Sequence, residues 1–385
     1  DQEIKITKKT LAAVAVLGAF AGSALAADVQ LYGVVDTGLR YTHFDGDAAA
    51  AGYDAVDKFE MKSGQQSGSR FGFKGTEDLG NGLTVFILEN QFNSDDGSLS
   101  DSDHFFRREA SLFLEGGFGK IAMGRIGSIN NGVSSWAQFG MLSAFGTSWD
   151  YSAQMGTWAV GAGIWDNMIA YQTPTFAGFT VYAQYGMGSN NNENESSSDR
   201  YYALGAKYAN GPLNLYLAVD SINYQTADLT GVNADDIDDS LTVTFGGNYD
   251  FEVVKLFAGA QYYDEAKIST AFGLLDSADY NATTYAGKFK GWSLGVSASI
   301  PAAGGQVLVG AGYMDAEAAD SQKAAKDDEL TRWVVSAGYD YPLSKRTNVY
   351  GILTYAQDSL DYTETTAKDQ DPTVFAAMIG LRHKF

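Results

Sequence analysis

The chain of 385 residues contains no cysteine, so neither a disulfide nor a cysteine metal site can hold it together. Proline is also scarce, at 5 residues, and proline is what interrupts the ladder of a central strand. Histidine is limited to His43, His104 and His383, and none sits with a serine and an acid in a nucleophile motif. Hydrolytic chemistry, and enzyme activity generally, is therefore not expected. No run of about 18 apolar residues occurs, which excludes a membrane-spanning helix. Lys and Arg number 26 against 47 Asp and Glu, giving a net charge of -21. Such a chain repels nucleic-acid phosphates, so no nucleic acid is expected as a partner. No loop shows the spacing of a calcium-binding loop, and neither a metal nor a cofactor is expected.

What is abundant is glycine (44), tyrosine (23) and phenylalanine (22). At the start, Lys5, Lys8 and Lys9 precede an apolar run from Leu11 to Phe20 and then Ala24-Leu25-Ala26. A basic region, a short apolar region and a small-residue cleavage site read as a secretory signal over residues 1–26. The exported part is then expected to run from Ala27 to Phe385.

From Ala27 onward the dominant period is two. Val29, Leu31, Val35, Leu39 and Tyr41 share one face, while Gln30, Tyr32, Asp36 and Arg40 share the other. Leu213, Leu215, Leu217 and Val219 oppose Asn214, Tyr216 and Asp220, and Trp333, Val335, Ala337, Tyr339 and Tyr341 oppose Arg332, Ser336 and Asp340. Helical spacing would scatter these faces; strands do not. A mean hydropathy of -0.17 looks soluble, yet a transmembrane barrel carries its lipid face on every second residue and averages out polar.

The connections fall into two alternating populations. Short ones lie at Asp78–Gly82, Gly116–Gly119, Thr175–Gly178, Ala209–Pro212, Asp250–Glu252, Pro301–Gly304 and Pro342–Arg346. Long ones lie near Thr42–Lys58, Asn93–His104, Ile126–Trp165, Gly186–Asp199, Ser221–Asp239, Asp264–Thr284, Asp315–Glu329 and Asp358–Pro372. Short periplasmic turns and long outer loops are the layout of an outer-membrane barrel, and this count separates sixteen antiparallel strands. The expected fold is thus all-β, and the expected location is the outer membrane of a Gram-negative bacterium. A soluble sandwich would not segregate loop lengths in this way. Tyrosines at strand ends, such as Tyr201–Tyr202, Tyr262–Tyr263 and Tyr339–Tyr341, suit interfacial girdles, or serve simply as strand formers.

The last eight residues, Met378 to Phe385, alternate through Gly380, with Arg382 and Lys384 on the water face, and stop on phenylalanine. An open edge there would invite aggregation, so this strand is expected to zip to the first and close the ring. Gly380, His383 and Phe385 are the expected closure and assembly residues.

Several segments resemble the Gram-negative general porins of the betaproteobacterial and neisserial branch. They are Val29-Gln30-Leu31-Tyr32-Gly33, Ser69 to Leu83 (SRFGFKGTEDLGNGL), Gly117-Phe118-Gly119-Lys120 through Gly124-Arg125, Tyr171 to Phe179 (YQTPTFAGF), Tyr341 to Thr347 (YPLSKRT) and Gly380 to Phe385. They occur in the expected order across the whole exported chain. The resemblance implies a sixteen-stranded barrel, a homotrimer, an inward-folded third long loop and passive diffusion of small hydrophilic solutes. Outer-membrane lipid and lipopolysaccharide would be the surrounding partners.

A barrel of that size is too wide for its own side chains to fill, which supports an aqueous pore independently. The segment Ile126–Trp165 is the longest connection, about 40 residues, a length that is usually functional. It carries Trp136, Phe139, Phe145, Trp149 and Trp158, whose expected role is chiefly packing against the inner wall rather than solute contact. In the resembled family, basic wall residues face acidic residues of this loop. Arg70, on the inward face with Lys74, and Arg108 match such wall positions, with Arg40 further along the water face of the first strand and Arg125 in the matched segment. Val34 and Ile164 stand where relatives carry basic residues, and Gln138-Phe139-Gly140 stands where they carry an acidic motif. Asp150 is the one carboxylate between Ile126 and Trp165. The constriction is therefore expected to be charge-poor, and the acidic outer loops are expected to set a weak cation preference. The alternative is a channel specific for a substrate such as a sugar, using the aromatic residues of the third loop.

Overall fold

A computed structural model describes residues 28–45, 55–147, 149, 156–159, 163–188, 193–195, 197–225, 238–268, 288–320, 329–361, 369 and 371–385. The signal expected over 1–26 lies outside these residues, as does Asp150. The first strands are β1 (Asp28–Asp45), β2 (Ala55–Ser63), β3 (Arg70–Asp78), β4 (Gly82–Gln91), β5 (Glu109–Gly116), β6 (Gly119–Gly127) and β7 (Ile164–Gln172). Then follow β8 (Phe179–Gly186), β9 (Arg200–Asn210), β10 (Leu213–Asn223), β11 (Leu241–Asp250) and β12 (Lys255–Ala266). The series ends with β13 (Phe289–Ala302), β14 (Gly305–Ala318), β15 (Glu329–Pro342), β16 (Thr347–Asp361) and β17 (Thr373–Lys384). A single turn of 3-10 helix, Phe139–Leu142, interrupts the longest connection.

Each strand pairs antiparallel with its neighbours, and β1 pairs with β17 from Val34↔Lys384 to Asp45↔Thr373. The sheet therefore closes on itself. Beyond the last ladder residue, Gly33 and Phe385 exchange two backbone hydrogen bonds of 3.1 Å. β2 and β3 pair with the same edge of β1, β2 with its Thr37–Asp45 half and β3 with its Asp28–Val34 half. They form one stave broken in the middle, so the seventeen strands make sixteen staves.

The outward face carries the apolar alternation: Leu31, Phe59, Leu112, Leu204, Leu294 and Ile379 are all exposed. With no water in hydrocarbon, such a band is stable only in lipid, and closure leaves the sheet without a free edge strand there. The tyrosines split between the faces. Tyr202, Tyr262, Tyr339 and Tyr341 are on the outward face, but Tyr201 and Tyr263 are buried on the lumenal side, so two of the six expected girdle residues do not reach the interface. The reason is the period itself, because adjacent residues of a strand must face opposite ways.

Candidate pore constriction

The lumen is not empty. The connection between β6 and β7 folds inward and is tied to the wall along much of its path. At its start, the Ile129 N–H donates to Gln184 Oε1 at 2.8 Å, and Asn130 Nδ2 donates to Asp220 Oδ2 at 2.9 Å. Next, Ser135 places both its N–H (2.7 Å) and its hydroxyl (2.9 Å) on the Glu109 carboxylate. Across the lumen, Asn248 Nδ2 donates to the Met141 carbonyl and the Ala144 N–H donates to Ser297 Oγ, both at 2.9 Å. Finally, the Ala159 N–H meets Gln261 Oε1 at 2.7 Å, and Arg332 Nη1 holds the Gly156 carbonyl at 2.9 Å. Arg332 is itself fixed by a bidentate pair to Asp358, at 2.6 and 2.7 Å, with no exposure. A buried charge so paired is costly to orphan, so this anchor is stiff.

The aromatic residues of the loop complete its attachment. Trp136, Phe139, Leu142 and Trp158 are buried against wall residues such as Phe113, Met168 and Tyr216. Phe139 meets Trp158 edge-on at 5.1 Å. The Lys120 ammonium lies 4.3 Å from the Trp136 ring and 4.1 Å from Phe113, a pair of cation–π contacts. Phe145 and Trp149 pack on the opposite wall, where Trp149 stands 5.2 Å from Tyr350, edge to face. Wall packing is thus the role of most of these rings. Of these rings, Phe145 and Trp149 also border the cavity between the loop and residues 64–69. Gln138 does not: its side chain folds back onto the Trp136 carbonyl at 3.1 Å.

A second element narrows the lumen from the other side. Between β2 and β3, residues 64–69 leave the wall and fold inward. Gln66 Nε2 reaches Asp340 Oδ2 of β15 at 2.7 Å, and its Oε1 accepts from Asn348 Nδ2 of β16 at 2.8 Å. Nothing in the sequence reading anticipated this strap.

Between strap and loop lies a cavity of about 340 Å³, bordered by Gln66, Ser67 and Gly68 on one side and by Gly132, Gly140, Thr147 and Trp149 on the other. Three guanidinium groups line it: Arg70, Arg108 and Arg382. Arg108 Nε donates to Glu89 Oε1 at 2.5 Å, and Arg70 Nε stands 3.6 Å from Glu89 Oε2, so one carboxylate serves two cations. Arg382 donates from Nε to Asn348 Oδ1 at 3.1 Å and points Nη1 at Ser67 Oγ at 3.5 Å, with no carboxylate in ion-pair reach among the described residues. The cavity is therefore not charge-poor, as expected, but is lined by three guanidinium groups and by no carboxylate.

The other expected wall residues fall elsewhere. Arg40 faces inward but is buried against Glu60, with contacts of 2.6 and 3.0 Å, and does not border the cavity. Lys74 is on the lumenal face of β3 opposite Gln30, exposed, and away from the constriction. Arg125 is held by Asp166 and the Arg107 carbonyl, beside His104. Its place follows from plain alternation along β6: it shares the parity of the outward Ile121 and Met123, not that of the buried Ala122 and Ile126, and the extra residue of the ladder lies in β7, between Trp165 and Met168.

At the seam, Gly380 lies under the Tyr350 ring, where an added Cβ would stand 2.2 Å from the hydroxyl, so only glycine fits. His383 accepts or donates at 2.8 Å with Thr347 Oγ1, and Phe385 covers Gly33 from the outer face.

A family model described as Gram-negative porin matches residues 12–361. This chain belongs to that family. An outer membrane porin protein of Bordetella pertussis is 34% identical over 416 residues, covering 98% of this chain and 100% of the relative. The major outer membrane protein P.IB of Neisseria lactamica is 27% identical over 390 residues, with the same coverage. Among solved structures, an anion-selective porin from Comamonas acidovorans superposes with a TM-score of 0.65 at 24% identity, over 93% of this chain and 100% of that one. The betaproteobacterial and neisserial resemblance and the outer-membrane location therefore hold for this porin. Sequence reasoning missed Arg382 as a constriction residue although it placed it on the water face, and missed the strap altogether.

Proposed function

We propose that this porin is a water-filled outer-membrane channel for passive diffusion of small hydrophilic solutes, and that Arg70, Arg108 and Arg382 give it a preference for anions. The observation that carries this reading is the cavity lining: three guanidiniums border it and no carboxylate does, with Arg70 and Arg108 sharing Glu89 behind the lining and Arg382 outside ion-pair reach of any described carboxylate. The acidic outer loops argue for the weak cation preference expected from composition. Charges facing bulk solution are screened within about 8 Å at physiological salt, whereas a charge bordering the narrowest section lies within a few ångströms of every passing ion. The constriction therefore outweighs the mouth. An anion-selective porin of the same fold points the same way.

The test is a planar bilayer held across a salt gradient. Stepwise current with an anion-directed reversal potential is expected. A cation-directed potential would remove the preference, and the absence of steps would remove the channel.

The sugar-specific alternative draws little support, because Trp136, Phe139 and Trp158 are buried and offer no aromatic slide. Block of single-channel current by millimolar oligosaccharide would revive it. We assign a homotrimer on the family resemblance. An apolar depression on the outer wall, bordered by Leu39, Ala337, Gly338, Gly351 and Leu353, suits close approach of a second copy. Lipopolysaccharide and lipid would surround the rest, and mass measurement in detergent tests the assembly.

A further inference from the structure

We infer that Asp36 is a positioning residue of the constriction: it holds the strap 64–69 in the lumen and, through it, aims Arg382 at passing solute. The inference rests on the channel reading above. Opposite the strap, β1 offers only Val35 and Asp36 between the ladder residues Val34 and Thr37, while the broken stave offers six residues between Ser63 and Arg70. The four surplus residues have no place in the sheet. They leave it inward, and an inward excursion buries backbone N–H groups that need acceptors.

Asp36 supplies them. It is fully buried. Its Oδ2 accepts the N–H groups of Gln66 (2.9 Å) and Ser67 (2.7 Å), and its Oδ1 accepts the Tyr350 hydroxyl at 2.6 Å. Its main chain closes the two ends of the strap, with the carbonyl accepting from the Gly64 N–H at 2.9 Å and its N–H donating to Ser69 Oγ at 3.0 Å. One residue thus grips both feet and the crown of the excursion.

The crown in turn controls Arg382. Gln66 and Asp340 both receive Asn348 Nδ2, at 2.8 and 2.7 Å, which leaves Asn348 Oδ1 facing Arg382 Nε. Ser67 Oγ stands beside the Arg382 Nη1. Releasing the strap frees both contacts, and a freed guanidinium swings on its stem instead of bordering the cavity.

The role is geometric, so the conservative variant should rescue it. In Asp36→Asn one amide oxygen still accepts two N–H groups, and the amide nitrogen can donate to the Tyr350 oxygen. Asp36→Ala removes all three side-chain bonds. The test compares full-length parent, Asp36→Asn and Asp36→Ala in planar bilayers, with unheated electrophoretic mobility as the check on folding. Expected are a changed single-channel conductance and a loss of anion-directed reversal potential in Asp36→Ala, with Asp36→Asn close to the parent. Parent-like values in folded Asp36→Ala overturn the inference, and so does equal disturbance by Ala and Asn, which would make charge rather than position the cause. Where Asp36→Ala fails to fold, excision of Gln65–Gly68 leaves two residues opposite two and a continuous stave. That channel should conduct more than the parent, and unchanged conductance overturns the inference. A parent that shows no current steps removes the channel reading, and this inference with it.

Discussion

Replacing Arg382 by glutamine removes the constriction cation that has no carboxylate partner, while keeping a polar side chain beside Asn348. An ion passing about 5 Å from a guanidinium in a water-like medium feels about 0.8 kcal/mol. Screening at 0.1 M, where the Debye length is about 10 Å, lowers this to about 0.5 kcal/mol. That is roughly twofold in occupancy for a monovalent anion and the inverse for a cation, or about fivefold in their ratio. The reversal potential in a potassium chloride gradient reads that ratio directly. Arg125→Gln serves as the control, because Arg125 is engaged by Asp166 away from the cavity and should leave the potential unchanged. At 1 M salt the Arg382 effect should shrink to about 1.3-fold per ion, since the Debye length falls to about 3 Å. An unchanged potential in Arg382→Gln, or an equal change in the Arg125 control, would refute the assignment of selectivity to this cavity.

Three further outcomes are expected. Arg332→Ala removes the cation paired with the buried Asp358 carboxylate and frees the Gly156 end of the inward loop, costing about 3–5 kcal/mol in urea unfolding, whereas the double variant Arg332→Met/Asp358→Leu should recover most of it. Gly380→Ala drives a methyl to 2.2 Å from the Tyr350 hydroxyl and should cost about 1–3 kcal/mol, read as a lowered midpoint for unfolding from detergent micelles. Leu204→Arg, on the outward face and 60% exposed, should cost about 2–4 kcal/mol if near the bilayer midplane, seen as reduced stability after folding into lipid vesicles.

Most of the barrel was legible because its two signals are local. The alternation of Leu213, Leu215 and Leu217 against Asn214 and Tyr216 fixes which way each side chain points, and the acidic, glycine-rich breaks mark where ladders stop. The eight long connections and seven short turns fall between the observed strands at nearly the expected residues. The strap was hidden by arithmetic. Its surplus is four residues, an even number, so Phe59 and Met61 before it keep the same parity as Phe71 and Phe73 after it. A period-two pattern passes through such an excursion unbroken; only the pairing partner, β1, reveals it. Arg125 was misplaced although the alternation was legible: it shares the outward parity of Ile121 and Met123, and only the resemblance put it at the pore wall. Arg108 precedes β5, where no alternation constrains it, yet its N–H on the Glu89 carbonyl (3.1 Å) turns the side chain into the lumen. Arg382 was readable as water-facing, but its company of Ser67 and Asn348 comes from segments 315 and 34 residues away. Long-range juxtaposition of that kind leaves no trace in a local pattern.

The central claim is an open lumen narrowed by an arginine-lined section. It is tested most directly by the current of the unmodified protein in a planar bilayer across a tenfold potassium chloride gradient. Discrete steps with a potential of chloride-preferring sign are predicted; a potassium-preferring sign, or a silent membrane despite a folded barrel, would contradict it.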